Sequence, residues 1–134
     1  MNKADLMVEL ERYWQDQLRD SAGDEGRRAE VERQLLQVRF LPRREHRDPE
    51  DQIVPSTLVE IETISQGGSA VTTRSWCYLI PTGGGLVLAV GGQPVQVLTP
   101  QSPLGAALLG HKRGDVVSVA VGKGTRRVQV VDFC

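Results

Sequence analysis

Aromatic residues make up only 4% of this 134-residue chain, which leaves little material for stacking nucleobases. Acidic and basic residues nearly cancel, to a net charge of −1, so the basic footprint of a nucleic-acid binder is missing as well. Cysteine is scarce: Cys77 sits in an apolar run, Cys134 ends the chain, and the two make no metal or redox spacing. In a reducing compartment such a pair is expected to stay unbridged. No apolar run approaches the roughly 20 residues that cross a bilayer, and the start MNKADLMVELERYW carries acids where a secretory leader carries none. These absences lead to the expectation of a cytoplasmic protein with no membrane partner, no metal or other cofactor, and no direct sequence-specific contact with nucleic acid.

What is present divides near residue 55. Residues 1–55 hold 10 Lys/Arg and 13 Asp/Glu, while the remainder holds 6 and 4, and all but two of the 14 glycines lie in the second part. The first part therefore reads as helical and solvated, the second as strand and turn. Met7, Leu10, Trp14 and Leu18 recur every three or four residues and predict a helix over about Lys3 to Arg19; Val31, Leu35, Val38 and Leu41 predict a second. The polar RDSAGDEG between them supplies a turn, with Ser21 a candidate cap. The expectation is a short antiparallel hairpin over residues 1–41, each stripe covering the other, with arms of about 15 to 17 residues and hence a length of about 25 Å. Residues 42–55, with three prolines and a run of charges, read as a linker with almost nothing to bury.

Beyond residue 55, TLVEIETI, SAVTTRSWCYLIP, LVLAV, VQVL, DVVSVAV and RRVQVVDF predict six short strands with glycine-rich turns. The expected fold class is α+β: a mainly antiparallel sheet with one short helix packed on a face, preceded by the helical hairpin. That short helix lies in SPLGAALLGHKRGD. Ser102 is placed to cap it, Pro103 to occupy its first position, and Gly110 to end it. Leu104, Leu108 and Leu109 form its expected buried stripe, while Gly105, Ala106 and Ala107 allow close approach to the sheet.

Ser102, His111 and Asp115 include the residue types of a nucleophilic triad, but no nucleophile-elbow glycines surround Ser102, and a solvated turn explains His111 better. PTGGGLVLAVGG lacks the Lys-Ser/Thr ending of a phosphate loop, and no helix follows it.

The run SPLGAALLGHKRGDVVSVAVGKGTRRVQVVDF resembles the C-terminal domain of the bacterial GreA/GreB transcript cleavage factors and their smaller relative Rnk. The resemblance covers about residues 53–133. It implies an FKBP-like domain over residues 56–134 behind a short coiled-coil hairpin, acting as a transcription elongation regulator bound to RNA polymerase at the rim of the secondary channel. Contact with DNA would be indirect, through the polymerase. The partner surface implied is the polymerase β′ coiled coil, with Ser102, Pro103, Leu104 and Gln101 in the contact; Gln101 stands where an Asp or Asn is frequent in the family.

The cleavage factors also present acidic side chains at the tip of a long finger, where carboxylates complete the shell of a second Mg²⁺ in the polymerase. Here Asp20, Asp24 and Glu25 would occupy the tip, but the family's tip signature is reduced to Gly23-Asp24 and the arms are short. A shortened finger of the Rnk kind, with no enzymatic activity of its own, is the expectation; transcript cleavage is the alternative. A third reading is a non-catalytic FKBP-like interaction module, with a homodimer through Trp14 and Leu18. Prolyl isomerase activity is disfavoured, because Trp76, Tyr78 and Phe133 are too few and too dispersed to cage a proline ring.

Overall fold

The computed structural model describes residues 1–42, 44–64 and 73–134; Arg43 and the expected first residues of the second strand, Ser69 to Thr72, lie outside the described residues. Two helices, α1 (Lys3–Asp20) and α2 (Glu25–Phe40), precede β1 (Leu58–Ile64), β2 (Thr73–Leu79), β3 (Leu86–Val90), β4 (Gln93–Leu98), α3 (Pro103–Leu108), β5 (Val116–Val121) and β6 (Gly124–Phe133). The strands form one sheet in the order β3-β4-β2-β1-β6-β5. All neighbours are antiparallel except β2 and β4, so the expected α+β architecture is the observed one.

The hairpins follow from local chemistry. Gly91 and Gly92 both take positive φ, 58° and 81°, which is what a two-residue turn matching the strand twist requires. Gln93 and Pro94 therefore belong to β4 rather than to the turn. A proline inside an interior strand is tolerated here because pairing with β2 begins only at Val95.

Two helical layers cover opposite faces and different halves of the sheet. On one face, Leu104 and Leu108 of α3 join Val59, Ile61, Cys77, Leu79, Val117, Val119, Val128, Val130 and Phe133. On the other, Leu6, Met7 and Leu10 of α1 and Val38 of α2 join Leu58, Tyr78, Leu88, Val90, Val95 and Val97. The first strand does not alternate cleanly between buried and exposed residues, and the two layers explain why. Leu58 and Val59 are both buried, one in each layer. The register between β1 and β6 also slips at Glu60/Ile61, so that Val130 and Phe133 face the same side.

This arrangement corrects the expectation that the two helical stripes cover only each other. Val31, Leu35 and Val38 are buried as expected, but Leu6, Met7 and Leu10 are spent on the sheet. The β2, β3 and β4 strands would otherwise expose an apolar face, and burying it stabilises the fold by roughly 25 cal/mol per Å². Trp14 and Leu18 are only half-buried. Trp14 lines an apolar groove of about 440 Å³ together with Leu36, Phe40, Leu41, Ile80 and Pro81.

The stretch after α2 also buries more than its composition suggested. Ile53 is fully buried; its N–H donates to the His111 carbonyl, and its own carbonyl accepts from Gly110, each at 2.8 Å. Lys3 donates its ammonium to the Arg44 carbonyl at 2.6 Å. Residues 44–53 thus form a strap held to the turn after α3 and to the start of α1.

Candidate functional site

The entrance of α3 is built by a short chain of hydrogen bonds. After β4 the backbone turns at Thr99, and the Ser102 hydroxyl donates to the Thr99 carbonyl at 2.8 Å. The same oxygen accepts the Gly105 N–H at 3.1 Å, and the Ser102 carbonyl accepts from Ala106 at 2.8 Å. Ser102 is therefore the N-cap and Pro103 the first helical residue. That placement satisfies donors that a helix start leaves free, and the missing proline N–H costs nothing.

Gly105 is required for a different reason from the one the sequence suggested. A Cβ there would lie 2.1 Å from the Thr99 carbonyl oxygen, so the close approach is to the preceding turn, not to the sheet. Ala106 is exposed. Gly110, at φ 83°, takes the left-handed position expected of it. Leu109, expected in the buried stripe, is instead the C-cap and 40% exposed. After only six helical residues the chain has already turned away from the core.

The four entrance candidates separate by exposure. Gln101 and Pro103 are exposed and Ser102 half-exposed. Leu104 is buried in the core cluster at 7% exposure. Leu104 therefore supports the entrance from beneath, and its exposed part is Gln101, Ser102 and Pro103.

The turn that leaves α3 is more than a solvated basic patch. Arg113 donates to the Asp132 carboxylate at 2.7 Å, to the Asp48 carbonyl at 2.9 Å, to the Phe133 carbonyl at 2.6 Å, and to the His46 carbonyl. Its guanidinium lies 4.0 Å from the centre of the Phe133 ring. The Arg113 hydrogen bond holds the Asp132 carboxyl below the usual carboxylate range. Lys112 adds an ion pair to Glu50 at 2.8 Å.

No motif marks Arg113 in the sequence, because three of its acceptors are backbone carbonyls. Gly114-Asp115 immediately after it was the available signal. Asp115 accepts from the Lys112 N–H at 2.9 Å and contacts His111 Nδ1 at 3.1 Å. These bonds, the backbone one first, lower its pKa. His111 and Asp115 are thus brought together as a turn, while the Ser102 hydroxyl is spent on its cap.

The tip of the helical hairpin holds its acids without organising them. Asp20, Asp24 and Glu25 are all exposed. Asp24, not Ser21, caps α2 by accepting the Arg27 N–H at 3.1 Å. Ser21 instead ends α1 and donates its hydroxyl to the Leu18 carbonyl. Among the described residues no group of three or more His, Cys, Asp or Glu side chains is arranged to hold a metal ion. No helix among the described residues is long and apolar enough to cross a membrane. Both cysteines are free thiols, and burial pushes that of Cys77 up to about 12.

Residues 94–133, which run from β4 through α3 to the end of β6, match the family model described as Transcription elongation factor, GreA/GreB, C-term. No curated protein sequence matches the chain. Among solved structures, the chain is similar to GreA factor homolog 1 of Thermus thermophilus, with 22% identity, TM-score 0.46, and coverage of 99% of this chain and 94% of that one. It is also similar to the GreA/GreB transcription elongation factor of Nitrosomonas europaea, with 24% identity, TM-score 0.38, and coverage of 94% and 92%.

Proposed function

Because the chain carries over residues 94–133 the C-terminal segment of the GreA/GreB transcription elongation factors, we propose that it acts as an elongation factor of this type. In this reading it binds RNA polymerase at the secondary channel and works by occupancy. The family match carries the proposal, since it spans the whole α3 entrance together with β5, β6 and nearly all of β4. The exposed Gln101, Ser102 and Pro103 provide the surface that meets the polymerase β′ coiled coil. The hydrogen bonds to Thr99 and the buried Leu104 hold that surface in one shape.

Finger length supports occupancy over cleavage. The 18 residues of α1 span about 27 Å at 1.5 Å per residue. Its first three turns dock on the sheet side through Leu6, Met7, Leu10 and Trp14, which leaves an overhang from Gln15 to Asp20 of about 8 Å. Delivering a carboxylate to a catalytic Mg²⁺ from the rim takes a finger nearer 45 Å, or about 30 residues per arm. On this account Asp20, Asp24 and Glu25 are turn residues and the protein performs no catalysis of its own.

A backtracked elongation complex tests the reading. The native chain is expected to yield no shortened RNA by itself, and to suppress in a dose-dependent way the cleavage stimulated by an added long-finger factor. Shortened RNA that disappears with Asp24→Ala would establish the cleavage alternative. Failure to suppress the long-finger factor at any dose would remove secondary-channel occupancy.

A further inference from the structure

The two edges of the sheet differ in what they offer. β3 is a five-residue edge strand between glycine-rich turns, with α1 packed beside it. β5 is the opposite edge, and its residues Val116 to Val121 include no charge and no proline. Natural edge strands are usually protected by lysine, proline or a bulge. β5 pairs with β6 in unbroken register from Val116↔Gln129 to Val121↔Gly124.

The register decides which backbone groups are free. Val130 donates its N–H to the Asp115 carbonyl and its own carbonyl accepts from Gly114, so Val130 and the Gly114-Asp115 bulge make a hydrogen-bonded pair that turns the Asp115 carbonyl toward β6. Alternation along an antiparallel ladder then makes Val117/Val128 and Val119/Arg126 the next such pairs. The N–H and C=O groups of Val116, Ser118 and Ala120 therefore point away from β6. Among the described residues no backbone or side-chain group bonds to them. Their side chains are exposed, while Val117 and Val119 turn inward beneath α3.

We propose that β5 is a homodimerisation edge, which takes β5 of a second copy in antiparallel register centred on Ser118. Self-complementarity selects this occupant. A twofold axis at Ser118 pairs Ser118 with Ser118 and Val116 with Ala120, and all three outward-facing residues meet outward-facing residues. On the buried face Val117 meets Val119, a cross-strand β-branched pair that favours a sheet. No like charges face each other within the six-residue ladder. The nearest charged residues along the chain, Asp115 and Lys123, lie outside the ladder.

Arg127, opposite Ser118 on β6, is separated from its symmetry mate by three strand spacings. That is about 14 Å, beyond the Debye length of about 8 Å at physiological salt. A six-residue ladder alone buries less than the roughly 1,200 Å² of a standard stable interface. The exposed Leu109 and Val116 widen it only slightly, so the dimer forms in a concentration-dependent way.

Sedimentation velocity on the full chain across a broad concentration series tests the proposal. The native protein is expected to pass from the 14.7 kDa monomer to twice that mass. Ser118→Lys, which sets two lysines face to face, should raise the dissociation constant tenfold or more. Ser118→Pro should do the same, because it removes an outward donor without touching the β6 ladder. In a Cys134→Ser background, Ser118→Cys should form an intersubunit disulfide in air, and Val87→Cys, on the β3 edge, should not. A monomer at every concentration with no cross-link at residue 118 overturns the proposal. So does a dimer that survives Ser118→Lys but is lost with Phe40→Lys, which would place the contact on the helical hairpin.

Discussion

α3 and the helical hairpin cover opposite faces of one sheet, and they are held there by opposite means. α3 is six residues long and is specified almost entirely by its neighbours in sequence: Ser102 caps it, Pro103 starts it, Gly105 admits the Thr99 carbonyl and Gly110 ends it. The hairpin is made of two long helices whose placement depends on residues far away, Tyr78, Leu88, Val95 and Val97. A locally specified element presents one rigid surface, which suits a docking site. A remotely held element can be displaced as a unit, and the acids at its tip serve the turn, Asp24 as the cap of α2.

The comparison can be broken most strongly on the hairpin side. Leu10 is fully buried between α1 and the sheet, so Leu10→Ala should cost about 2–5 kcal/mol. Amide exchange should accelerate along α1 and α2 while the α3 amides hold. Equal acceleration in both layers would mean that they are not separable.

On the α3 side, Gly105→Ala should cost about 1–3 kcal/mol, as overpacked sites do, because the new methyl group meets backbone rather than a movable side chain. Chemical denaturation of the two proteins measures it.

Arg113 ties the turn after α3 to the strap at His46 and Asp48. Arg113→Ala should cost about 1–3 kcal/mol and expose the Ile53 amide to exchange. A pH dependence follows from its partner. The carboxyl of Asp132 is held below its ordinary value of 3.8 in the folded protein, first by the hydrogen bond from Arg113. Its stabilising contribution is therefore present above about 3.8 and is lost as the pH falls through and below that value. The Tm difference between the native protein and Asp132→Asn should be largest near pH 7 and shrink toward pH 3. A difference that stays constant over that range would detach Asp132 from the account.

Ser102→Ala should cost about 0.5–2 kcal/mol as a lost cap, and Ser102→Asp should restore most of that. Smallest of all, Asp20→Asn, Asp24→Asn and Glu25→Gln together should change stability by no more than about 0.5 kcal/mol, because all three are exposed and asparagine still caps α2.

How much of this was legible in the sequence follows the same division. The helices, the six strands, the α3 cap and the glycine at its end were readable, because each rests on periodicity or on a residue a few positions away. The parallel pairing of β2 with β4, the docking of Leu6 and Leu10 on the sheet, and the burial of Ile53 in a charged, proline-rich stretch were not. Each depends on a partner at least forty residues distant in the chain or reached only through the sheet order. At the α3 entrance the resemblance named Gln101, Ser102, Pro103 and Leu104 together, and the structure separates them: the first three lie exposed or half-exposed, whereas Leu104 lies beneath them. Arg113 was passed over because backbone carbonyls leave no mark in a sequence. Asp24 takes the cap expected of Ser21 because both residue types cap well, and only the position where the backbone turns decides between them.

The central claim is that the α3 entrance, and not the hairpin tip, is the surface that meets RNA polymerase. Binding of polymerase core to the immobilised full chain tests it most directly, with native protein, Pro103→Glu and the Asp20→Asn/Asp24→Asn/Glu25→Gln triple variant compared at one salt concentration. An acid is accepted at the first position of a helix, so Pro103→Glu keeps the fold while it changes the contact. The account predicts native binding, unchanged affinity for the triple variant, and at least a tenfold loss for Pro103→Glu. Binding that ignores Pro103→Glu, or that is lost with the triple variant, would contradict it.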